Sequence, residues 1–153
     1  MAGEIEARLQ ALEITLPDAP APAANYVPYV CTGNQVFISG QVPWVGGERN
    51  FVGKVGADFT VEEGQAAARV VVLNIIAQLK SACGGDLDRV VRCVKLGGFV
   101  NCTPDFENHP QVINGASDLM VDIFGDAGRH ARLPSAPPPC RSTWRWKLMR
   151  CSR

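Results

Sequence analysis

The sequence lacks most of the features that assign a protein to a class at first sight. No hydrophobic run approaches the ~18 apolar residues that cross a membrane, and the acidic start, MAGEIEARLQALEIT, is unlike a secretory signal. The six cysteines form no CxxC pair and have no histidines at zinc spacing, and no glycine fingerprint of nucleotide binding occurs. We therefore expect a cytoplasmic protein without a membrane segment, a bound metal or a cofactor.

Acidic residues are also missing, but only from one end of the chain. The 153 residues include 15 Lys and Arg and 15 Asp and Glu. Residues 133–153 hold five of the basic residues and no acidic one, so residues 1–132 have ten basic against 15 acidic residues, a net charge of −5. The length and the 46% hydrophobic and 20% charged content predict one globular domain. The tail after it differs in composition.

The first third of the chain predicts short elements. Residues 3–13 form an amphipathic pattern typical of a short helix, and a Pro- and Ala-rich connector follows. Apolar alternation predicts a strand over 35–41, and Gly46 and Gly47 are expected to turn the loop or hairpin after it.

Two long helices dominate the remainder. Thr60 and Glu63 form a capping box, and the helix that starts there is expected to stop at Gly84. Its predicted buried stripe consists of Val70, Leu73, Ile76, Ala77 and Leu79. A strand over 89–100 and a second long helix over 110–124 follow. This order predicts an α+β fold in which a single sheet packs on two long helices.

Three stretches together resemble a known family. They are NYVPYV with GNQVFISGQVP, then TVEEGQAAARVVVLNIIAQLKSACGGDLDRVVRCVKLGGFVNCTPDF, then VINGASDLMVDIFGDAGRHAR. Over residues 20–132 they are similar, in order and spacing, to the RidA/YjgF family of reactive-intermediate deaminases, in particular its endoribonuclease L-PSP/chorismate mutase-like subgroup. The resemblance implies a chorismate-mutase-like fold, with residues 1–19 as an extra N-terminal helix and linker, and a homotrimer.

The same resemblance implies an activity. The family's deaminases hydrolyse enamine or imine products of amino-acid dehydratases to 2-keto acids and ammonia, in clefts between subunits that bind small carboxylates. An arginine clamps the carboxylate, a tyrosine and backbone groups shape the pocket, and a glutamate near the C-terminus positions the attacking water. A 2-imino acid is already electrophilic, so neither a metal nor a covalent nucleophile is required.

Four residues carry this site over to the present sequence. The arginine of the family's ARS motif falls on Arg132, and the tyrosine falls on Tyr26, thirteen residues before Ser39. Gly40 matches the strand-end glycine, and Asn114 matches the polar residue at the start of the second long helix. The C-terminal glutamate has no counterpart. Each residue also has a structural interpretation. Arg132 could be an ordinary surface arginine and Tyr26 a core tyrosine. Gly40 could serve backbone geometry alone, and Asn114 could form a hydrogen bond at the start of the helix.

The other residues with reactive side chains have plainer interpretations. His109 and His130 are expected to be exposed, and nothing near Cys102 in the sequence would activate its thiol. Three further cysteines lie among apolar neighbours and are expected in the core: Cys31, Cys83 and Cys93.

The resemblance ends at Arg132, where a frameshift explains the change. The family continues from ARS into a strand, a turn with LP and a final strand of alternating valines and acids, whereas this chain reads ARLPSAPPPC. Restoring one nucleotide after the Arg132 codon permits RSAVGAAPLPLDVAVEVDALFE. Trp has a single codon, so Trp146 followed by Lys147 restores a glutamate. Residues 133–153 are therefore predicted to be a frameshifted tail, with the last strands lost and with activity and trimer formation impaired.

Two other functions remain open. A non-catalytic trimeric protein could bind small carboxylates in the same cleft, which the missing glutamate favours. RNA cleavage or binding is suggested by the subgroup's name and by the Trp- and Arg-containing tail, since aromatic and basic residues can stack on bases. The net negative charge of residues 1–132 disfavours a polyanionic ligand.

Resequencing of the gene around the Arg132 codon tests the frameshift. We expect either one additional nucleotide directly after that codon or, where the deletion is genuine, a neighbouring frame that encodes the alternating strand and its acidic residues. A neighbouring frame without that pattern would contradict the prediction.

Overall fold

The computed structural model describes residues 3–19, 21, 24–135 and 149–151. Within these ranges the chain forms three α-helices: α1 (Glu4–Ala11), α2 (Val61–Ala82) and α3 (His109–Phe124). It also forms eight strands: β1 (Tyr29–Thr32), β2 (Gln35–Ile38), β3 (Trp44–Val45), β4 (Glu48–Arg49), β5 (Val90–Cys93), β6 (Lys95–Phe99), β7 (Ala131–Ser135) and β8 (Met149–Cys151). Short 3-10 turns, Leu87–Arg89 and Gly125–Gly128, precede β5 and follow α3.

The strands form one four-stranded ladder and two pairs. The four-stranded sheet has the order β1-β2-β8-β5, and all its neighbours are antiparallel. β6 pairs with β7 in parallel, with Leu96 opposite Arg132, and β3 with β4 is a small hairpin. Only Val94 separates β5 from β6, so the same stretch of chain runs through both main ladders. The predicted α+β architecture is confirmed.

The two long helices pack closely against each other because of a glycine at their contact. A Cβ atom added at Gly115 of α3 would lie 2.8 Å from the Cα atom of Gln65 of α2 and closer still to its carbonyl oxygen. The Nε2 atom of Gln65 also donates a hydrogen bond to the carbonyl oxygen of Gln111, at 2.8 Å. The absence of a side chain at Gly115 therefore permits the backbones to approach.

The predicted buried stripe of α2 is partly wrong. Ile76, Ala77 and Leu79 are buried, but Val70 and Leu73 are only half-buried. The deepest positions of the helix include Ala68, Val71, Val72 and Ile75. A single buried stripe is expected for a helix that contacts one layer. Because α2 contacts both the sheet and α3, a wider part of its surface is buried.

The ends of the helices follow the sequence signals. Thr60 and Glu63 form the predicted capping box: the Thr60 hydroxyl accepts from the Glu63 amide at 3.2 Å, and the Glu63 carboxylate accepts from the Thr60 amide at 2.8 Å. The helix α3 has its proline in the first turn and ends at Gly125, which adopts a positive φ. The N-terminal helix is held by Asp88, whose carboxylate accepts hydrogen bonds from two of its backbone amides.

Strand prediction was less accurate than helix prediction. The hairpin turned by Gly46 and Gly47 is confirmed, but β1 was missed and the single strand over 89–100 is divided at Val94. β1 lies at the end of the sheet order and is mostly exposed, so its sequence does not alternate. For the same reason Cys31 is exposed and the core assignment was wrong, whereas Cys83 and Cys93 are buried as predicted.

One face of the sheet lacks a covering layer among the described residues. Val36 and Ile38 of β2 are buried in the core cluster that includes α2 and α3. On the opposite side, Val30 and Phe37 lie directly across from each other in the β1–β2 register. These two residues form the open face, and Val30 is 51% and Phe37 36% exposed.

The tail after Arg132 is only partly described. The predicted loss of the last strands does not extend to the described part of the tail: residues 133–135 extend β7, and Met149–Cys151 form the short strand β8 between β2 and β5. Residues 136–148 and 152–153, on which most of the predicted frameshifted tail falls, lie outside the described residues. In the part of the chain that is described, no helix combines the length and hydropathy that a bilayer span needs.

Substitution of Gly115 by alanine should destabilise the protein. Alanine normally stabilises a helix interior relative to glycine, by ~1 kcal/mol, but here its Cβ atom would overlap the backbone of α2. We expect the free energy of unfolding to fall by about 1–3 kcal/mol, as overpacking generally causes. Denaturant unfolding measures this.

The exposed Asp118 of α3 provides the matched control. Asp118→Ala places alanine at an exposed position of the same helix, where its Cβ atom overlaps nothing, and should leave stability within ~0.5 kcal/mol of the parent chain, as surface substitutions do. Equal or greater stability of Gly115→Ala would show that the two helices do not need this close approach.

Candidate functional site

Arg132 is held on the helix layer by two residues of α3. Its Nη1 atom donates hydrogen bonds to Oδ1 of Asn114 at 2.8 Å and to Oγ of Ser117 at 3.2 Å. Asn114 and Ser117 are three positions apart and therefore share one face of α3. The structure thus brings together Arg132 and Asn114, which the sequence had assigned to one site.

One edge of the Arg132 guanidinium makes no hydrogen bond to the described residues. Nη1 has two N–H groups, and the two hydrogen bonds to α3 account for both. Within the described residues, no hydrogen bond involves the Nε or Nη2 atoms. These two nitrogens form the side of a guanidinium that binds a carboxylate through two parallel hydrogen bonds. Arg132 is half-buried, so water screens such a pair only partly.

His130 belongs to the same network, although the sequence suggested an exposed histidine. Its Nε2 atom lies 3.0 Å from Oγ of Ser117, and its Nδ1 atom is hydrogen-bonded to the carbonyl oxygen of Gly128. Burial lowers the pKa of His130 and the charge of Arg132 lowers it further, while the hydrogen bond to Gly128 opposes them. The expectation of exposure was wrong because β7 lies against α3 at this point.

Tyr26 and Gly40 lie in a different part of the fold. They occur where the chain enters β1 and leaves β2, and the Ser39 hydroxyl donates to the Val27 carbonyl oxygen at 2.6 Å between these two segments. Tyr26 is 47% exposed and Gly40 is exposed. Neither is a hydrogen-bond partner of Arg132 in the described structure. The four predicted residues therefore form two pairs, one at the β1–β2 hairpin and one where β7 meets α3.

Cys102 and His109 form a contact that the sequence did not predict. Sγ of Cys102 lies 3.2 Å from Nε2 of His109, and the ring of Phe106 packs edge-on against the imidazole at 5.2 Å. His109 is thus half-buried, and its predicted exposure was wrong. Burial nevertheless raises the pKa of the Cys102 thiol. The environment therefore does not activate this cysteine as a nucleophile.

Sequence reasoning found half of the Arg132 network and missed Ser117 and His130. Two spacings could have indicated them. His130 and Arg132 are two residues apart at the start of a strand, so their side chains point to the same side. Ser117 lies one helical turn after Asn114. Among the described residues, no group of three or more His, Cys, Asp or Glu side chains is arranged to hold a metal ion.

Comparison with known sequences identifies the family. The family model described as "YjgF/chorismate mutase-like, putative endoribonuclease" matches residues 6–141. Protein TCP17 of Trypanosoma cruzi is 53% identical over 133 residues, which cover 85% of this chain and 81% of that protein.

Solved structures agree with this assignment. A Shewanella oneidensis protein with the same endoribonuclease description has a TM-score of 0.90 and 40% identity, and the match covers 97% of this chain and 99% of the other. E. coli TdcF with bound serine shares the fold alone, with a TM-score of 0.58, 22% identity and coverage of 88% and 94%. The chain has the fold of these proteins and belongs to the YjgF/chorismate mutase-like family.

Proposed function

We propose that the chain binds small carboxylates at Arg132 and performs a RidA-like hydrolysis of 2-imino or enamine acids, with reduced activity in the chain as written. Family membership supports a RidA-like or endoribonuclease-like role. The observation that carries the proposal is the orientation of Arg132, in which Nη1 is fixed by Asn114 and Ser117. The Nε and Nη2 edge is thereby prepared for a planar carboxylate.

In the proposed reaction the protein orients the substrate and supplies no covalent nucleophile. Water adds to the imine carbon of the 2-imino acid, the C–N bond of the resulting carbinolamine breaks, and a 2-keto acid and ammonia leave. Holding the substrate carboxylate in a fixed orientation removes part of the entropic barrier. The positive charge of Arg132 neutralises the carboxylate next to the carbon that is attacked. The family's C-terminal glutamate, which would orient the water, has no counterpart in this sequence.

The site is proposed to be completed between copies of the chain. Tyr26 and Gly40 lie at the β1–β2 hairpin, whereas Arg132 and Asn114 lie where β7 meets α3. A cleft between subunits, as the family resemblance implies, would bring one pair from each copy together. The open face supports assembly, because an exposed apolar sheet surface is stabilised when a second surface covers it. A homotrimer is the proposed assembly.

E. coli TdcF supports the choice of ligand class. That protein, which shares the fold, was crystallised with serine, a small molecule with a carboxylate. For the present chain we propose a ligand in which the carboxylate contacts Arg132 and a short polar chain extends from it. A non-catalytic carboxylate-binding protein is the second candidate, and the missing glutamate favours it.

Substitution of Arg132 by lysine should weaken binding of 2-oxobutanoate, used as a probe of carboxylate binding. Lysine keeps the charge but loses the two parallel hydrogen bonds, so we expect a loss of affinity of about 10- to 100-fold, as for hydrogen bonds to charged groups. Titration calorimetry measures the affinity. Ammonia release from freshly generated 2-aminoacrylate, followed in parallel, should fall by a similar factor.

Arg129→Lys is the matched control, since the side chain of Arg129 is 71% exposed and pairs with Asp126 on the surface. It should bind and react as the parent chain does. Equal losses in both variants would argue against a carboxylate clamp at Arg132. Binding without any acceleration of ammonia release by the parent chain would leave the non-catalytic protein as the function.

A chain with the reading frame restored after Arg132 should be more stable and assemble more completely. The restored sequence replaces a segment with three consecutive prolines, 137–139, by an alternating strand with acidic residues. We expect a higher melting temperature, trimers in light scattering, and faster ammonia release than with the chain as written. Identical assembly and activity of the two chains would contradict a damaging effect of the tail.

A further inference from the structure

We infer that His130 is a positioning residue for Arg132: acting through Ser117, it holds the guanidinium in its carboxylate-binding orientation and makes that hold depend on pH. The inference rests on the proposed binding of carboxylates at Arg132 and adds a means of regulation to it. No contact between His130 and the ligand is required.

Secondary structure brings the participating side chains together. His130 and Arg132 flank Ala131 at the start of β7, so their side chains point towards α3 from the same side of the strand. Ser117 lies between them: its Oγ atom is 3.0 Å from Nε2 of His130 and 3.2 Å from Nη1 of Arg132. A single hydroxyl group therefore joins the imidazole to the guanidinium.

The chemistry of the partners fixes the direction of each hydrogen bond. A guanidinium only donates, so Ser117 Oγ accepts from Arg132. The Gly128 carbonyl only accepts, so Nδ1 of His130 carries the proton that it shares with Gly128. In the neutral imidazole Nε2 is then an acceptor, and the Ser117 hydroxyl donates to it. Because the Ser117 hydroxyl hydrogen points to His130, the lone pairs of its oxygen are directed at Arg132.

Protonation of His130 disrupts this arrangement. Nε2 becomes a donor, so the Ser117 hydroxyl must turn away and its oxygen faces two cations, His130 and Arg132. Among the described residues, the groups that face His130 are the Ser117 hydroxyl, the Gly128 carbonyl and the Arg132 charge. None of them is a carboxylate that would stabilise the imidazolium. Repulsion between the two cations is expected to displace the guanidinium from Asn114 and Ser117.

The pH range follows from the environment of His130. Burial and the neighbouring Arg132 lower its pKa below the ordinary value for histidine. The neutral form, which holds Arg132, therefore prevails at neutral pH and is lost as the pH falls through that lowered pKa. Both ring nitrogens are engaged within the protein, so the imidazolium charge does not contact the ligand. Carboxylate affinity should accordingly fall on acidification.

Histidine NMR tests the hydrogen-bond chain without any ligand. Nitrogen–proton correlation spectra of the 153-residue protein should show His130 protonated at Nδ1 and titrating below the ordinary histidine range. Ser117→Ala removes the donor to Nε2, so the titration midpoint should rise. A neutral His130 protonated at Nε2, or an unchanged midpoint in Ser117→Ala, would overturn the inference.

Binding as a function of pH tests the effect on Arg132. Affinity for 2-oxobutanoate, whose carboxylate stays ionised, is measured by calorimetry between about pH 5 and 8, the range in which histidines titrate. The parent chain should lose about tenfold in affinity across the His130 titration, the size expected for one hydrogen bond to a charged group. His130→Gln should show a flat profile, because the titrating group is absent.

His109→Gln is the matched control, because His109 is the only other histidine and contacts Cys102 instead of Arg132. It should keep the pH profile of the parent chain. A pH-dependent profile in His130→Gln that equals that of the parent would overturn the inference. Absence of binding by the parent chain at every pH would refute the proposed function instead, while the NMR experiment would still decide the role of Ser117.

Discussion

The close contact between α2 and α3 at Gly115 is the constraint on which the other features depend. The two helices form the layer that covers one side of the sheet, and their separation is set where the backbone of Gln65 meets a residue without a side chain. Asn114 and Ser117, which lie within two residues of Gly115 on α3, are the residues that Arg132 contacts. Core packing and site geometry thus share one stretch of helix.

The helix layer covers only one side of the sheet, and this has consequences for assembly. Val36 and Ile38 face the helices and are buried, whereas Val30 and Phe37 on the same strand pair are exposed. In a single chain the described residues leave this apolar surface in water. Tyr26 and Gly40 lie at the β1–β2 hairpin, whereas Arg132 lies on β7. An assembly that covers the open face and joins the two halves of the site would account for both observations.

Arg132 lies where the proposed site and the strand β7 meet. The family model matches residues 6–141 and so includes Arg132, whose guanidinium edge defines the proposed site. β7 continues to Ser135 in register with β6, so Arg132 lies on a paired strand.

The sequence by itself determined the helices, their caps and the α+β class, because capping boxes, glycine stops and apolar periodicity are local signals. It also determined the family, and with it the pairing of Arg132 with Asn114. Tertiary structure alone decided the rest. The edge strand β1, the wide buried arc of α2 and the half-burial of His109 and His130 depend on which layers lie on each side. Ser117 became part of the site because α3 lies against β7. Its spacing from Asn114 indicates a shared helix face but does not show which strand lies against that face.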